Sequence, residues 1–457
     1  MKISPARLAS FEILNKIEKE KAFSSVLLPL YEENLEAKDR ALCHRLTLGV
    51  LRKKIYLDGV VQSFSKTKIA KLDVEVLNAL RLGLYQLLLL DKIPDFSAIN
   101  ESVNLVQKAK KTSAKGFTNA VLRRATREKI DLKFADEVER VSIETSHPRW
   151  LIENWIRQFG FEETEKLAKS NNETPQLVFR LTAKSDEKTV EILKKLGVDL
   201  IESEIVTGAW RVRKASEMLF AYANEGKIYF QEESSQLVAE AVNLQPDESF
   251  LDVCAAPGSK FTKIQDSRFK IQDSGFRIQD LKSEIQNSKF KTQNFSVAGD
   301  LYEHRLRFLK QSAAHQGIKN LNLAAYDAEK DLPFADEIFD SVLLDAPCSG
   351  TGTIRHNPEI RYFLAEKDFA ELHGKQLRIL QNASKTLKKG GRLVYSTCSL
   401  ERVENEAVIE KFLAENINFE KAGLNLKDEF LTAENFARTF PQRDLTDGFF
   451  IAALRKK

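Results

Sequence analysis

Two cysteines, each placed shortly after an apolar segment, are the side chains of this sequence best suited to covalent chemistry. Cys348 lies in residues 345–352 (DAPCSGTG), and Cys398 lies in residues 396–399 (STCS). A thiolate is a strong nucleophile, but a free thiol has a pKa of about 8.5, so a reactive cysteine must be activated by its surroundings. Asp345, three residues before Cys348, adds a carboxylate to the set. For the Cys348 segment, the alternative is a strand-to-loop junction with an incidental buried cysteine.

The apolar segments that precede these residues are predicted to be strands of one sheet. They lie at residues 250–253, at residues 342–344 and within residues 390–400. In open α/β sheets, ligands bind at the carboxyl ends of the strands. Residues 254–260 (CAAPGSK) form a small-residue turn before a helix N-terminus, which lets the backbone approach a ligand closely. We therefore expect acids and thiols to meet at one edge of the sheet.

Two further acids end predicted strands. Asp300 follows residues 295–299, and Asp327 follows residues 321–326. An acid at the end of the second strand can accept hydrogen bonds from both hydroxyls of a ribose, as in nucleotide-binding sheets. Asp327 could face an adenine amino group, and the alternative for this residue is ordinary helix capping.

Three of these motifs together resemble a known family. Residues 255–258 (AAPG), 345–352 and 396–399 are similar to those of RNA cytosine-5 methyltransferases that use S-adenosylmethionine. The specific likeness is to the RsmB or Sun (Fmu) family, which acts on bacterial 16S ribosomal RNA. The resemblance covers nearly the whole chain, because the helical pattern of residues 1–138 resembles the NusB-like RNA-binding domain of this subgroup.

The resemblance implies an α/β fold with a Rossmann-like methyltransferase domain, preceded by an all-α NusB-like domain and a small α+β domain. The corresponding bounds are residues 236–457, 1–138 and 139–235. Alternation of predicted strands and helices after Glu232 independently indicates a doubly wound parallel sheet.

The resemblance also implies a role for each site residue. Cys398 is the nucleophile, Cys348 assists proton removal or enzyme release, and Asp345 hydrogen-bonds the N3 edge of cytosine. The residues implied to bind S-adenosylmethionine are Cys254, Ala255, Ala256, Pro257, Gly258, Ser259, Lys260, Asp300, Asp327 and Asp345. The sequence departs from the family at Ser259, where glycine is usual, and at Phe261, where threonine is usual. We expect these departures to weaken packing rather than abolish binding.

Charge is unevenly distributed along the 457 residues. The net charge is +4, yet residues 1–135 carry 25 Lys and Arg against 15 Asp and Glu. A basic N-terminal third suggests a polyanionic partner. Within it, Lys110, Lys111, Arg123 and Arg124 are the candidate RNA-binding residues, with a solvated charged face as the alternative. Arg180 and Arg211 of the second domain are further candidates for RNA contact. For both, an ordinary surface position is the equal alternative.

Composition and cysteine usage exclude several classes of protein. A chain that is 43% hydrophobic and 30% charged is typical of a globular protein. Four cysteines without a C-x-x-C pair argue against a disulfide framework and a zinc site. No apolar run reaches the length of a membrane span, and residues 1–5 (MKISP) lack the apolar core of a signal peptide. We expect a cytoplasmic monomer that binds small-subunit ribosomal RNA and neither metal nor membrane.

A heptad-length repeat interrupts the methyltransferase domain. It begins KIQDSRF, KIQDSGF, RIQDLKS at Lys263, and Ile264, Phe269 and Ile271 follow spacings of five and two. This spacing gives neither a helical stripe nor one face of a strand. We therefore interpret residues 264–294 as a low-complexity insertion, and we expect its removal to leave activity intact.

Two alternative functions remain open at this point. The first is the same chemistry on transfer RNA, and the second is a non-catalytic RNA-binding factor with a vestigial methyltransferase fold. Presence of both thiols and of all three acids argues against the vestigial fold. The NusB-like domain favours ribosomal RNA over transfer RNA.

Overall fold

The computed structural model describes residues 3–275, 295–319 and 321–457, with the backbone alone for residues 268–275. Contacts within the chain divide it into two compact units. The first unit comprises Met1–Thr174 and Ile354–Glu366, and the second comprises Pro175–Thr353 and Lys367–Lys457.

Helices build the first unit. Its α-helices are Pro5–Glu20, Ser24–Glu32, Ala37–Arg52, Lys54–Phe64, Val74–Leu89, Asp95–Lys108, Lys115–Ala125, Glu137–Thr145, Arg149–Phe159, Phe161–Ser170 and Ile360–Phe363. Apolar residues at helical spacing form their buried faces. Helix Val74–Leu89 lies at the centre, where it packs against Pro5–Glu20, Asp95–Lys108 and Lys115–Ala125. The sequence-based prediction of an all-α N-terminal domain is confirmed.

A late segment of the chain, Ile354–Glu366, belongs to this helical unit. Its Arg361 side chain is fully buried and donates hydrogen bonds to the carbonyl oxygens of Thr145 at 3.2 Å and Asn171 at 3.3 Å. Glu359 accepts hydrogen bonds from the backbone amide and hydroxyl of Ser24 at 2.7 and 2.9 Å. These hydrogen bonds satisfy the buried side chains of Arg361 and Glu359 and the groups of the helical unit that they contact.

A small antiparallel sheet opens the second unit. Its strands are β1 (Leu177–Leu181), β2 (Asp199–Glu202), β3 (Ala209–Lys214) and β4 (Ile228–Phe230), in the order β2-β3-β1-β4. Helix Thr189–Lys195 connects β1 to β2, and helix Glu217–Asn224 connects β3 to β4. This β-α-β-β-α-β arrangement is the ferredoxin-like motif.

The larger sheet of the second unit carries the site. Its strands are β5 (Phe250–Asp252), β6 (Ser296–Asp300), β7 (Asn322–Ala325), β8 (Phe339–Asp345), β9 (Leu387–Thr397), β10 (Phe419–Ala422), β11 (Ala437–Thr439) and β12 (Phe449–Lys456). The order is β10-β12-β9-β8-β5-β6-β7, with β11 also paired to β12. Strands β5 to β9 pair in parallel, as predicted, whereas β10, β11 and β12 add an antiparallel edge. The central strands are buried on both faces, which explains their continuous apolar sequence.

Helices connect successive strands of the chain and flank this sheet. They are Glu233–Val242, Ser259–Gly275, Glu303–His315, Glu366–Lys385, Glu406–Glu415 and Pro441–Asp444. Throughout the described ranges, helices are too short or too polar to cross a lipid bilayer.

The predicted insertion at residues 264–294 is wrong at its first residues. Helix Ser259–Gly275 continues through them, and Ile264 is only 3% exposed in the core beside Phe261. Phe261 and Ile264 are three residues apart, so they lie on one face of the helix. The heptad spacing does not predict this face, because the repeat begins after Phe261. Residues 276–294 of the predicted insertion lie outside the described residues.

The two arginines of the small domain also differ from expectation. Arg180 is 3% exposed and forms a buried ion pair with Asp266 of helix Ser259–Gly275. Arg211 pairs with Glu233, with 2.7 Å between Nε and Oε1. Neither alternative considered for Arg180, RNA contact or an ordinary surface position, holds, because its guanidinium is buried in an ion pair inside the protein.

Candidate active site

A pocket of about 350 Å³ lies at the carboxyl ends of the parallel strands. Residues from separate stretches of the sequence meet in its wall, among them Cys254, Ala256, Asp300, Asp327, Asp345, Cys348 and Cys398. Its volume falls in the range of small-molecule sites, and its position is the one where α/β sheets bind ligands.

The two thiols come together because their strands are neighbours. Parallel pairing of β8 with β9 sets Asp345 opposite Ser396, and the loops that follow each strand run side by side. The sulfur atoms of Cys348 and Cys398 are 3.4 Å apart. Contact with the Cys398 sulfur, together with burial, raises the pKa of the Cys348 thiol well above its usual value. The raised pKa favours the protonated form of Cys348, and either sulfur can be the donor in this contact.

A glycine permits the close approach of the thiol loops. The Gly352 amide donates to the carbonyl oxygen of Cys398 at 2.9 Å. A β-carbon on Gly352 would lie 1.9 Å from the Gly448 carbonyl oxygen and 2.9 Å from that of Cys398, so a side chain there would displace the Cys348 loop from both.

Asp345 is fixed from two sides at the mouth of β8. Its Oδ1 accepts a hydrogen bond from the Ser396 hydroxyl at 2.7 Å, and its Oδ2 lies 2.7 Å from Nζ of Lys260. Burial alone lowers the pKa of Lys260, but the Asp345 carboxylate outweighs this effect and raises the pKa above its usual value. Lys260 stays charged and is not part of the pocket wall, so it acts on the pocket through Asp345.

Asp300 ends β6 and joins the small-residue turn to the next helix. It is 3% exposed and accepts hydrogen bonds from the amides of Ala256 at 3.3 Å and Tyr302 at 3.1 Å. Arg305 lies 3.3 Å from the Asp300 carboxylate and donates to the Ala256 carbonyl oxygen at 2.7 Å. The carboxylate therefore holds the turn in a defined position beside the pocket.

The turn at residues 254–260 contributes mainly backbone. Gly258 has a φ of +105°, and a β-carbon there would lie 2.5 Å from Leu309, so the turn requires glycine. Cys254 and Ala256 line the pocket. The other predicted cofactor-binding residues of the turn lie outside the pocket wall; they are Ala255, Pro257, Gly258, Ser259 and Lys260. Burial raises the pKa of the Cys254 thiol, so this cysteine stays neutral.

Asp327 lies in the pocket wall just after β7 and is partly exposed. Its Oδ1 accepts a hydrogen bond from the amide of Glu329 at 3.0 Å within a turn, so it does not cap a helix. Its contact with an adenine amino group stays a prediction.

Several residues of the pocket wall were not predicted. Those with long polar side chains are Tyr302, Arg305, Glu329 and Lys375. Tyr302 and Arg305 closely follow Asp300 at the start of a helix, which is a usable sequence signal. Lys375 lies in the middle of helix Glu366–Lys385, where nothing local distinguishes it from any other exposed lysine.

The candidate RNA-binding residues lie in the first unit. Arg123 and Arg124 are exposed in the last turn of helix Lys115–Ala125, and Lys110 is exposed in the preceding loop. Arg124 pairs with Glu128, at 2.6 Å between Nη2 and Oε2, and Lys111 is partly buried. The exposed guanidinium and ammonium groups remain accessible to a polyanion.

Across the described residues, no group of three or more His, Cys, Asp or Glu side chains is arranged to hold a metal ion.

Comparison with protein-family models identifies all three parts of the chain. Residues 4–127 match the NusB family. Residues 147–218 match the ferredoxin-like domain of RsmF/B-like methyltransferases, and residues 282–455 match the 16S rRNA methyltransferase RsmB/F model.

Curated relatives align over the full length. The probable ribosomal RNA small subunit methyltransferase B of Bacillus subtilis is 33% identical over 100% of both chains. The probable enzyme of the same name from Synechocystis is 31% identical over 99% of both chains.

Solved structures show the same architecture. The crystal structure of PH0851 is 26% identical and superposes with a TM-score of 0.81 over 100% of both chains. A methyltransferase homologue from Pyrococcus horikoshii is 26% identical and gives a TM-score of 0.56, covering 71% of this chain and 100% of that one.

Proposed function

The chain belongs to the RsmB/F family of 16S ribosomal RNA methyltransferases, and from this premise we propose that it methylates cytosine C5 through a covalent adduct between Cys398 and C6. The methyl donor is S-adenosylmethionine, and the proposed substrate is a cytosine of small-subunit ribosomal RNA. The observation that carries the proposal is the 3.4 Å contact between two thiols in a pocket at the carboxyl edge of the sheet.

The pocket residues fit S-adenosylmethionine, which supplies the methyl group when bound. The Asp300 carboxylate stands where a ribose would bring its hydroxyls, at the end of the second parallel strand. The same turn brings Ala256 into the pocket wall beside Asp300. Asp327 and Asp345 add negative charge, which suits the positive charges of the methyl donor.

The reaction needs a nucleophile because cytosine C5 is too weak to attack a methyl group directly. Addition of the Cys398 sulfur at C6 makes C5 an enamine-like carbon, which can then take the methyl group. Removal of the C5 proton afterwards allows the sulfur to leave and restores the aromatic ring. Covalent catalysis thus divides one difficult step into easier ones.

The thiol contact supports different roles for the two cysteines. Its contact and burial favour the protonated form of Cys348, whose thiol can donate a hydrogen bond to the Cys398 sulfur while Cys398 acts as the nucleophile. After methyl transfer, Cys348 is close enough to assist removal of the C5 proton or release of the enzyme.

Asp345 is the residue that we propose recognises the base, because its carboxylate lines the pocket together with both thiols. Addition at C6 moves electron density onto N3, which takes a proton from solvent, and the Asp345 carboxylate can accept a hydrogen bond from the resulting N3–H. Ser396 and Lys260 hold the carboxyl group in one orientation. All of these groups come from one chain, so we expect a monomer to be sufficient for the reaction.

Bisulfite sequencing of ribosomal and transfer RNA, with and without the gene, tests this proposal. We expect one or more protected cytosines in small-subunit ribosomal RNA to lose protection when the gene is deleted. Wild-type protein should restore protection, and Cys398→Ala should not. Loss of protection in transfer RNA instead would support the alternative substrate. No change in either RNA would contradict an enzymatic role.

A further inference from the structure

A buried glutamate lies behind the two thiol loops and is not part of the pocket wall. Glu404 ends the short helical turn that follows the Cys398 loop, and its side chain is 0% exposed. Its Oε1 accepts hydrogen bonds from the backbone amide of Ser349 and from Nε2 of Gln376, both at 2.9 Å. Its Oε2 accepts hydrogen bonds from the hydroxyls of Ser349 and Ser399.

These contacts place one carboxylate directly behind both cysteines. Ser349 follows Cys348 in the chain, and Ser399 follows Cys398. Gln376, which donates to Glu404, also donates to the carbonyl oxygen of Pro347 at 3.0 Å, so the Cys348 loop is held on both sides of its thiol.

Glu404 is itself held in place by the sheet. The hydroxyl of Tyr395 in β9 donates to the backbone carbonyl oxygen of Glu404 at 2.6 Å. This bond ties the backbone of Glu404 to the strand that leads to Cys398.

Burying a carboxylate is costly unless hydrogen bonds satisfy it. Among the described residues, Glu404 forms no ion pair with Lys or Arg, and neutral donors carry the whole compensation. Hydrogen bonds from four donors to one carboxylate are short and directional, so they fix the relative position of the groups that donate. An apolar side chain of similar size would fill the same space without linking the loops.

We propose that Glu404 is a positioning residue that sets the spacing of Cys348 and Cys398 for covalent methyl transfer. The proposal rests on the covalent route proposed above, because only that route uses both sulfurs in turn. A reacting group displaced by about 1 Å can lose about a hundredfold in rate.

Two substitutions at Glu404 test the proposal through kinetics. Glu404→Ala removes every bond to the loops, and we expect kcat for RNA methylation to fall about a hundredfold with an unchanged KM for S-adenosylmethionine. Glu404→Gln keeps the size and one acceptor oxygen, so we expect a partial loss of about tenfold. Glu410→Gln, on the exposed side of the following helix, is the matched control and should behave as wild type.

Thiol reactivity measures the spacing without RNA or methyl donor. Iodoacetamide alkylation of each cysteine is followed against pH by peptide mass spectrometry. In wild type, Cys348 should react only at higher pH than Cys398, because their contact and burial raise the pKa of Cys348. In Glu404→Ala, the two pH profiles should move toward each other as the sulfurs separate. Ser399→Ala leaves the carboxylate in place and removes the Ser399 hydroxyl, which contacts Glu404, the hydroxyls of Ser349 and Thr351, and the amide of Glu401. It should shift the profiles in the same direction even if the carboxylate variants do not fold.

Unchanged kcat and unchanged thiol profiles in the Glu404 variants would overturn the proposal. A lower kcat with the wild-type separation of thiol profiles would also overturn it, because Glu404 would then support the fold without setting the spacing. Full methylation by Cys398→Ala would disprove the covalent route instead, and the thiol profiles would still decide the role of Glu404 in spacing.

Discussion

At the scale of single residues, the site separates the reacting groups from the groups that hold them. Cys348 and Cys398 face the pocket, whereas Lys260 and Glu404 act from behind it through hydrogen bonds. The holding groups are buried, so their removal leaves partners unsatisfied in a region of low polarity. We therefore expect substitutions of the reacting groups and substitutions of the holding groups to affect different steps of the reaction.

Asp300→Ala should weaken binding of S-adenosylmethionine by about 1–3 kcal/mol, since it removes an acceptor for the ribose and the bonds that hold the Ala256 turn. Isothermal titration calorimetry measures the change. Glu303→Gln, three residues later and exposed in a pair with Arg307, is the control and should bind normally. Equal affinity for wild type and Asp300→Ala would remove Asp300 from the proposed binding site.

The motifs that carry the two thiols can be predicted from the sequence, but the contact between the thiols cannot. The motifs around Cys348 and Cys398 are local, so each could be recognised from its own residues. Their meeting at 3.4 Å depends on parallel pairing of β8 with β9 in one particular register, which a sequence does not encode locally. Glu404 was missed for the same reason, because its partner Gln376 is 28 residues away in the chain.

At the scale of elements, helix Ser259–Gly275 links the small domain to the methyltransferase sheet within the second unit. Its residue Asp266 pairs with Arg180 of β1, and Arg180 also donates to Gln316 at 2.7 Å. The heptad spacing of the repeat predicts no helical face, because the repeat begins at Lys263 and leaves out Phe261. Phe261 and Ile264 lie on one face of the helix, on either side of Lys263 in the sequence.

Asp266→Asn should destabilise the second unit by about 3–5 kcal/mol, because it leaves the Arg180 guanidinium buried without its counter-charge. Urea unfolding compares this variant with wild type. The control is Glu191→Gln, which loses only an exposed helix pair with Lys195 and should unfold as wild type does. Similar midpoints for Asp266→Asn and wild type would show that the ion pair does not support this helix.

Two deletions should differ in their effect on the fold, because only the longer one removes Ile264 and Asp266. Replacing residues 276–294 with a short Gly-Ser link should retain the fold and the methylation rate, since Ile264 and Asp266 remain in place. Replacing residues 264–294 should unfold the second unit, because it removes both side chains. Circular dichroism and a methylation assay distinguish these outcomes. Loss of activity with a preserved fold in the shorter deletion would mean that residues 276–294 contact the substrate.

At the scale of the whole molecule, charge and chemistry lie in different units. The first unit carries the four candidate RNA-binding residues, and the second carries the pocket. Phosphate contacts give affinity without base recognition, whereas the pocket must recognise one base. The two properties should therefore be separable by mutation.

Neutralising Lys110, Lys111, Arg123 and Arg124 together should weaken RNA binding and flatten its dependence on salt. Each lost phosphate contact reduces the slope of log K against log salt by about 0.7–0.9. Fluorescence anisotropy at several salt concentrations measures this slope, and affinity for S-adenosylmethionine should stay constant. Neutralising Lys166 and Lys169, exposed lysines paired with nearby glutamates, is the control. An unchanged slope would identify the four residues as a solvated face.

The most direct test of the central claim is covalent trapping of RNA by Cys348→Ala. If Cys398 attacks C6 and Cys348 assists release, this variant should accept the methyl group and then stall as a protein–RNA species that survives denaturing electrophoresis. The species should require S-adenosylmethionine and should be absent from the Cys348→Ala, Cys398→Ala double variant. Trapping by Cys398→Ala instead would mean that the two roles are reversed. Failure of both single variants to trap RNA, with wild type active, would contradict the covalent route.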